Sequence, residues 1–262
     1  MTKTGLPPIL FEDDSLIAFD KPSGLLVSPD RWDKDRENLA DLIHERLSPD
    51  FFNVHRLDCD TSGVILVAKT KKALDAASQL FQSREVQKRY VAIAHGLPKE
   101  DKGTIRLAMA EDEERPGKMK IVKHGKPAVT DFEVVERFRR YALVTLVPHT
   151  GRTHQLRVHL AAIGCPITCD RFYGDGRGLL LSELKRHYKQ HADRPERPLI
   201  GRLALHAEVL SLPHPITGVP LVLRSPLPDD FELALKYLKR YSGGAAEPST
   251  DTLGRDNPAV GS

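Results

Sequence analysis

The run Val64-Ile65-Leu66-Val67-Ala68 constrains this chain most. It is five consecutive apolar residues, rich in β-branched types and preceded by turn chemistry at Asp60-Thr61-Ser62-Gly63. A run of that length and composition is read as a buried strand, so the fold must supply cover for it. Residues 71–84 follow, with Leu74, Ala77, Leu80 and Phe81 recurring at three and four, which predicts a helix. Upstream, residues 16–19 form a short apolar strand candidate, ended by Lys21-Pro22-Ser23-Gly24. Asn38 is placed to cap a helix running to about residue 47, stopped by Ser48-Pro49.

Strands dominate the remainder. Residues 90–94, 104–107, 128–138 and 141–147 carry alternating or β-branched patterns, with Arg139-Arg140 at a hairpin turn between the last two. A helix is predicted over 153–163, capped by Thr153 and closed by Gly164-Cys165-Pro166. Residues 203–212 and 220–223 read as strands, and residues 228–241 as an amphipathic helix. The pattern is α+β, without the regular strand–helix alternation of a parallel sheet. Residues 174–201 are poorly patterned and basic, which predicts a long surface loop or insertion in a single folded domain spanning 1–241. The Gly, Ala, Pro, Ser and Thr bias of residues 242–262 predicts a disordered tail.

Charge is informative locally. Lys plus Arg number 39 against 36 acids, a formal +3 that by itself neither demands nor forbids nucleic acid. Residues 118–126 hold four lysines and no acid, and residues 171–202 hold eight basic against four acidic residues. Such segregation suits a polyanion bound through phosphates; an ordinary solvated surface is the alternative. Three cysteines, Cys59, Cys165 and Cys169, cannot build a disulfide framework. His149, His154 and His159 are five apart, off a common helix face, and no metal site is expected. Gly174-Asp175-Gly176-Arg177-Gly178 lacks the full dinucleotide fingerprint, so no cofactor is expected either. No apolar run approaches the ~20 residues of a bilayer helix, and the N-terminus has no apolar leader core. A soluble, cytoplasmic protein without membrane contact is expected.

Two polar clusters can carry chemistry. The first, residues 53–63, is a loop feeding the buried strand, where functional side chains are commonly held. Asp60 there has an ordinary turn role available, whereas Asp58 has none; a surface carboxylate or salt-bridge partner is its plain alternative. The second, residues 150–159, places Arg152 at the predicted helix N-terminus, where the helix dipole disfavours a cation by a few tenths to ~1 kcal/mol. An arginine there answers to some anion, or else bends toward water.

These clusters resemble a known family. His55-Arg56-Leu57-Asp58-x-x-Thr61-Ser62-Gly63 is similar to the signature of the RluA-type pseudouridine synthases. The resemblance continues through Lys21-Pro22-Ser23-Gly24, Lys88-Arg89-Tyr90-Val91-Ala92, Gly125-Lys126-Pro127-Ala128, Gly151 to His159, Gly174, and Arg202 to Ala207, in family order. It implies a long mixed, mostly antiparallel sheet with flanking helices and a central catalytic cleft over 1–241. It also implies the short form, without an S4-like module before Ile9. The implied activity is isomerisation of uridine to pseudouridine in structured ribosomal or transfer RNA, by a protein expected to be a monomer.

Position by position, the resemblance makes Asp58 the catalytic aspartate and Arg152 its paired arginine. Tyr90 becomes the tyrosine packed on the target base, and Arg56 the side chain entering the RNA helix where the uridine leaves. His55, Thr61, Lys88 and Arg157 are the further expected RNA contacts. The chemistry breaks N1–C1′, turns the base and rejoins through C5, so no redox partner is needed. A carboxylate can attack C1′ or C6, or take the 2′ proton, and an adjacent guanidinium favours its ionised form. A fork of two hydrogen bonds suits that task better than lysine. Two alternatives remain: a non-catalytic RNA-binding or chaperone protein, and a glycoside hydrolase with Asp60 as the second carboxylate.

Overall fold

The apolar run lies in a strand whose seven residues, Ser62–Ala68, are all buried. Its alternation sends Val64, Leu66 and Ala68 to one face and Ile65 and Val67 to the other, and each set joins a different core cluster. The structure is a computed structural model that describes residues 5–30, 35–189 and 195–242. Its elements in chain order begin β1 (Ile9–Glu12), β2 (Leu16–Lys21), α1 (Leu39–Arg46), β3 (Phe52–Asn53), β4 (Ser62–Ala68) and α2 (Lys71–Gln82). There follow β5 (Gln87–His95), β6 (Lys102–Arg106), β7 (Met109–Glu111), β8 (Met119–Ile121), β9 (Val129–Arg137) and β10 (Tyr141–Pro148). The chain ends with α3 (Gln155–Ala162), α4 (Leu181–Leu184), β11 (Leu205–Pro213), β12 (Pro220–Arg224) and α5 (Asp229–Ser242).

Ten strands form one mixed sheet, in the order β1-β2-β4-β11-β5-β10-β9-β6, with β3 added on β4 and β12 on β11. The β4–β11 pairing is parallel and the others are antiparallel, as the resemblance implied. Helix α1 covers one face of β2 and β4 with Leu39, Leu42 and Ile43, its N-terminus capped by the Asn38 side chain on Asp41 N. Helix α2, capped by Thr70, covers the other face with Ala73. A third cluster packs β5 and β10 against Leu160 of α3 and Phe231 and Leu238 of α5. Gly63 sits where β4 meets β11 with φ +116°; a Cβ there would lie 2.2 Å from the Ala207 carbonyl oxygen. Only glycine lets the two strands approach at that point.

The structure corrects two expectations. Residues 174–201 are not simply a surface loop: Leu179, Leu184, Leu199 and Ile200 are buried, and Leu179 bridges to Ile200. The basic side chains Arg177, Lys185, Arg186 and Arg197 are exposed around those anchors. Helix α3 begins at Gln155 rather than at Thr153, because His154 takes a left-handed conformation (φ 55°) at its N-terminus. The short strands β1, β3, β7 and β8 carry too little periodicity to be read from sequence. The tail beyond residue 242 lies outside the described residues. Among the described residues, no helix is long and apolar enough to cross a membrane.

Because Leu66 is fully buried beneath α2, Leu66→Ala should lower the unfolding free energy by about 2–5 kcal/mol, read by urea denaturation.

Candidate active site

Asp58 sits on the loop between β3 and β4, and that loop is tied down on both sides of it. The Lys21 ammonium, fully buried, donates to the carbonyls of Pro22, Leu25 and Cys59 at 2.8, 2.8 and 3.0 Å. Burial pulls the Lys21 pKa down to about 8, against the opposing pull of Cys59, Asp60 and Asp58. Ser23 Oγ donates to the Asp60 carbonyl, and Thr61 N to the Asp58 carbonyl. The Asp58 side chain, 27% exposed, is thereby presented to a cavity of about 100 Å3.

The sheet register brings the rest together. Gly63 of β4 pairs with Ala207 of β11, which pairs with Tyr90 of β5. Tyr90 is therefore two strands from the end of the Asp58 loop, roughly 10 Å at the usual strand spacing. Arg56, Thr61, Lys88, Tyr90, Arg152 and Arg157 all line the cavity with Asp58. Burial, and then the Asp58 charge, push the Tyr90 phenol above its ordinary pKa, so it stays protonated. Arg56 is exposed at the rim, its Nη2 donating to Thr153 Oγ1 at 2.8 Å.

The arginine paired with Asp58 is Arg157, not Arg152. Arg157 Nη1 lies 3.7 Å from Asp58 Oδ2. Its Nε and Nη2 donate to Asp170 Oδ2 and Oδ1 at 2.7 and 2.8 Å, with both side chains buried (4% and 0% exposed). Asp170 Oδ1 also accepts the backbone N–H groups of Phe172 and Tyr173. The rings of those two residues lie 5.1 and 5.3 Å from the guanidinium carbon. Burial opposes the Arg157 charge, but the Asp170 bonds and the charges of Asp170 and Asp58 outweigh it and raise its pKa. Asp170 is held below the usual carboxylate range by the Arg157 and backbone hydrogen bonds, in spite of its burial.

The later helix start explains the exchange. Arg157 falls in the first turn of α3, and helical side chains lean toward the N-terminus, here toward Asp58. Arg152 lies before the helix; its Nε donates to the Pro127 carbonyl, leaving the guanidinium exposed at the cavity wall. Gln155 holds this approach, accepting from Arg152 N and Thr150 Oγ1 and donating to Val129 O and Thr130 Oγ1.

His55 faces away from the cavity. Its Nε2 accepts the Leu66 N–H at 3.0 Å, and its ring stacks on Phe81. Burial, then the Lys88 charge, depress its pKa to about 3, so the ring is a neutral acceptor bracing β4. Asp60 is exposed and not among the cavity walls, so a second carboxylate does not face Asp58 there. Tyr173 Oη accepts Met119 N and shares a hydrogen bond with His154 Nδ1 at 2.8 Å, tying the β7–β8 hairpin to the start of α3. Among the described residues, no group of three His, Cys, Asp or Glu side chains is arranged to hold a metal.

Comparisons with known proteins identify the family. The family model for RNA pseudouridylate synthase matches residues 15–162, more than half of the chain. The chain belongs to the RNA pseudouridylate synthase family. The synthase is 40% identical over 220 residues to the dual-specificity RNA pseudouridine synthase RluA of Escherichia coli, covering 83% of this chain and 92% of that one. It is 38% identical over 238 residues to the ribosomal large subunit pseudouridine synthase D of Pseudomonas aeruginosa, covering 88% and 72%. The solved structure of human RNA pseudouridylate synthase domain containing 1 superposes with a TM-score of 0.67 at 29% identity, covering 87% of each chain. The protein is thus an isomerase that acts on RNA.

Sequence reasoning missed the roles of Asp170, Lys21 and the Phe172-Tyr173 pair in this synthase. The signal for the first was present: Arg157 stands between Leu156 and Val158, and Asp170 follows the buried Ile167 and Cys169. Opposite charges embedded in apolar runs call for one another.

Removing Asp170 strands a buried guanidinium, so Asp170→Ala should cost about 3–5 kcal/mol of stability in urea denaturation. The neutral His55 gives a pH signature. Its pKa is lower folded than unfolded, so its stabilisation is full above pH 6.5 and is lost as pH falls toward about 3. Wild type should lose up to about 1.4 kcal/mol per pH unit relative to His55→Gln within that window, measured by denaturation at stepped pH.

Proposed function

We propose that this synthase converts uridine to pseudouridine in structured ribosomal or transfer RNA, with Asp58 as the acting carboxylate. The observation that carries the reading is the meeting of Asp58, Arg157 and Tyr90 at one small cavity. Arg157 approaches Asp58 to 3.7 Å, while the fork itself is spent on Asp170. Asp58 keeps oxygen lone pairs free for a sugar or base atom. The protonated Tyr90 ring offers a flat surface to the extruded uracil, worth roughly 1–3 kcal/mol by analogy with single-strand binders.

Taking the base out of its stack costs a few kcal/mol. Arg56, at the exposed rim, is suited to fill the gap and offset part of that cost. Thr61 closes the cavity beside Asp58. Attack at C1′, attack at C6 and removal of the 2′ proton all use the same ionised carboxylate in the same place. The three free cysteines suit the cytoplasm, where such RNA is found.

Asp58→Asn should lower isomerisation by at least about 100-fold, while RNA affinity stays within a few fold. The direct measurement is nucleoside-resolution mapping of pseudouridine in total RNA from cells with the gene, without it, and with the variant. A fully active Asp58→Asn enzyme would overturn the assignment.

A further inference from the structure

A second cavity, of about 470 Å3, adjoins the first and shares Lys88, Pro148, Thr150, Gly151 and Arg152 with it. Its walls also include Arg84 and the paired His149, but no carboxylate. The shared residues form the passage between the two spaces. Gly151 lies beside Lys88 in that passage: a Cβ there would lie 3.8 Å from the Lys88 Nζ, an ordinary contact.

Lys88 has an unusual setting. The side chain is half-buried, its ammonium 5.4 Å over the Phe81 ring, and among the described residues no ion pair joins it to a carboxylate. Burial alone lowers its pKa. A desolvated cation without a partner is costly unless an anion completes it. Arg152 adds a second cation, a guanidinium that no recorded ion pair joins to Asp58 among the described residues. Further along, Arg84 takes a left-handed conformation (φ 63°) at the end of α2, where glycine would be less strained.

We infer that Lys88 and Arg152 hold the backbone phosphate next to the everted uridine, and that the flanking strand runs through this passage toward Arg84. The inference rests on the RNA-isomerase reading for its geometry: the base in the small cavity, the chain leaving through the shared wall. Free phosphate is too small to span passage and groove together, whereas a polynucleotide presents one anion per residue along both.

The test measures binding, not turnover, in the Asp58→Asn background. The probe is a fluorescent RNA hairpin with a single loop uridine, made with a neutral methylphosphonate at the linkage on either side of that uridine. Lys88→Met and Arg152→Met should each reduce the slope of log affinity against log salt by about 0.7–0.9, the loss of one phosphate contact. One of the two methylphosphonates should weaken the parent protein at least tenfold and weaken Lys88→Met and Arg152→Met by less, since each keeps one of the two cations. Arg84→Gly should lower affinity without lowering the unfolding midpoint. Arg152 is exposed, so Arg152→Met reports even if Lys88→Met fails to fold.

Unchanged salt slopes in both variants overturn the inference. So does a methylphosphonate penalty that persists in full in both. An Asp58→Asn enzyme that still isomerises RNA would instead remove the catalytic assignment and leave these binding results standing.

Discussion

The two-pronged bond between Arg157 and Asp170 is the interaction on which the site depends. A guanidinium almost wholly removed from water needs an anion, and Asp170 supplies it at 2.7 and 2.8 Å. Asp170 is itself locked by the backbone N–H groups of residues 172 and 173, so the orientation of Arg157 is set by main chain and not by rotamer choice. What remains of the guanidinium faces Asp58 from 3.7 Å. At that distance the guanidinium stands beside Asp58 without filling its lone pairs. Buried ion pairs of this kind add little net stability, but they fix geometry when every member is satisfied.

The sheet supplies the frame around that pair. Loops 54–61 and 149–154 approach one another above the row Gly63–Ala207–Tyr90, and Arg56 bonded to Thr153 closes the distance between them. Gly63 permits the parallel contact that starts the row. Lys21, donating into the carbonyl next to Asp58, holds the Asp58 loop from below. The β7–β8 hairpin hangs on Tyr173, one residue from the ring that covers Arg157.

Most of the architecture was legible in the amino-acid order because long strands and amphipathic helices announce themselves by period. β4, β5, β9, β10, α1, α2 and α5 all fall within a few residues of where their patterns place them. The helix start at α3 did not, since a non-glycine left-handed residue such as His154 leaves no mark in composition. That shift of two residues decided which arginine meets Asp58. The bracing role of His55 was hidden for a related reason: a ring that supports a neighbouring strand leaves no mark in the amino-acid order until the register is known. The leucines of residues 179–200 were hidden among basic residues, whose side chains point outward from the same short stretch.

The bridge between Leu179 and Ile200 has a practical meaning. It pins the two ends of the intervening chain to the core, so the connection enters and leaves at fixed points. Lengthening a segment held this way costs little, about 0.6 kcal/mol for each doubling. A change of length between the bridged ends therefore leaves the core contacts of Leu179 and Ile200 in place.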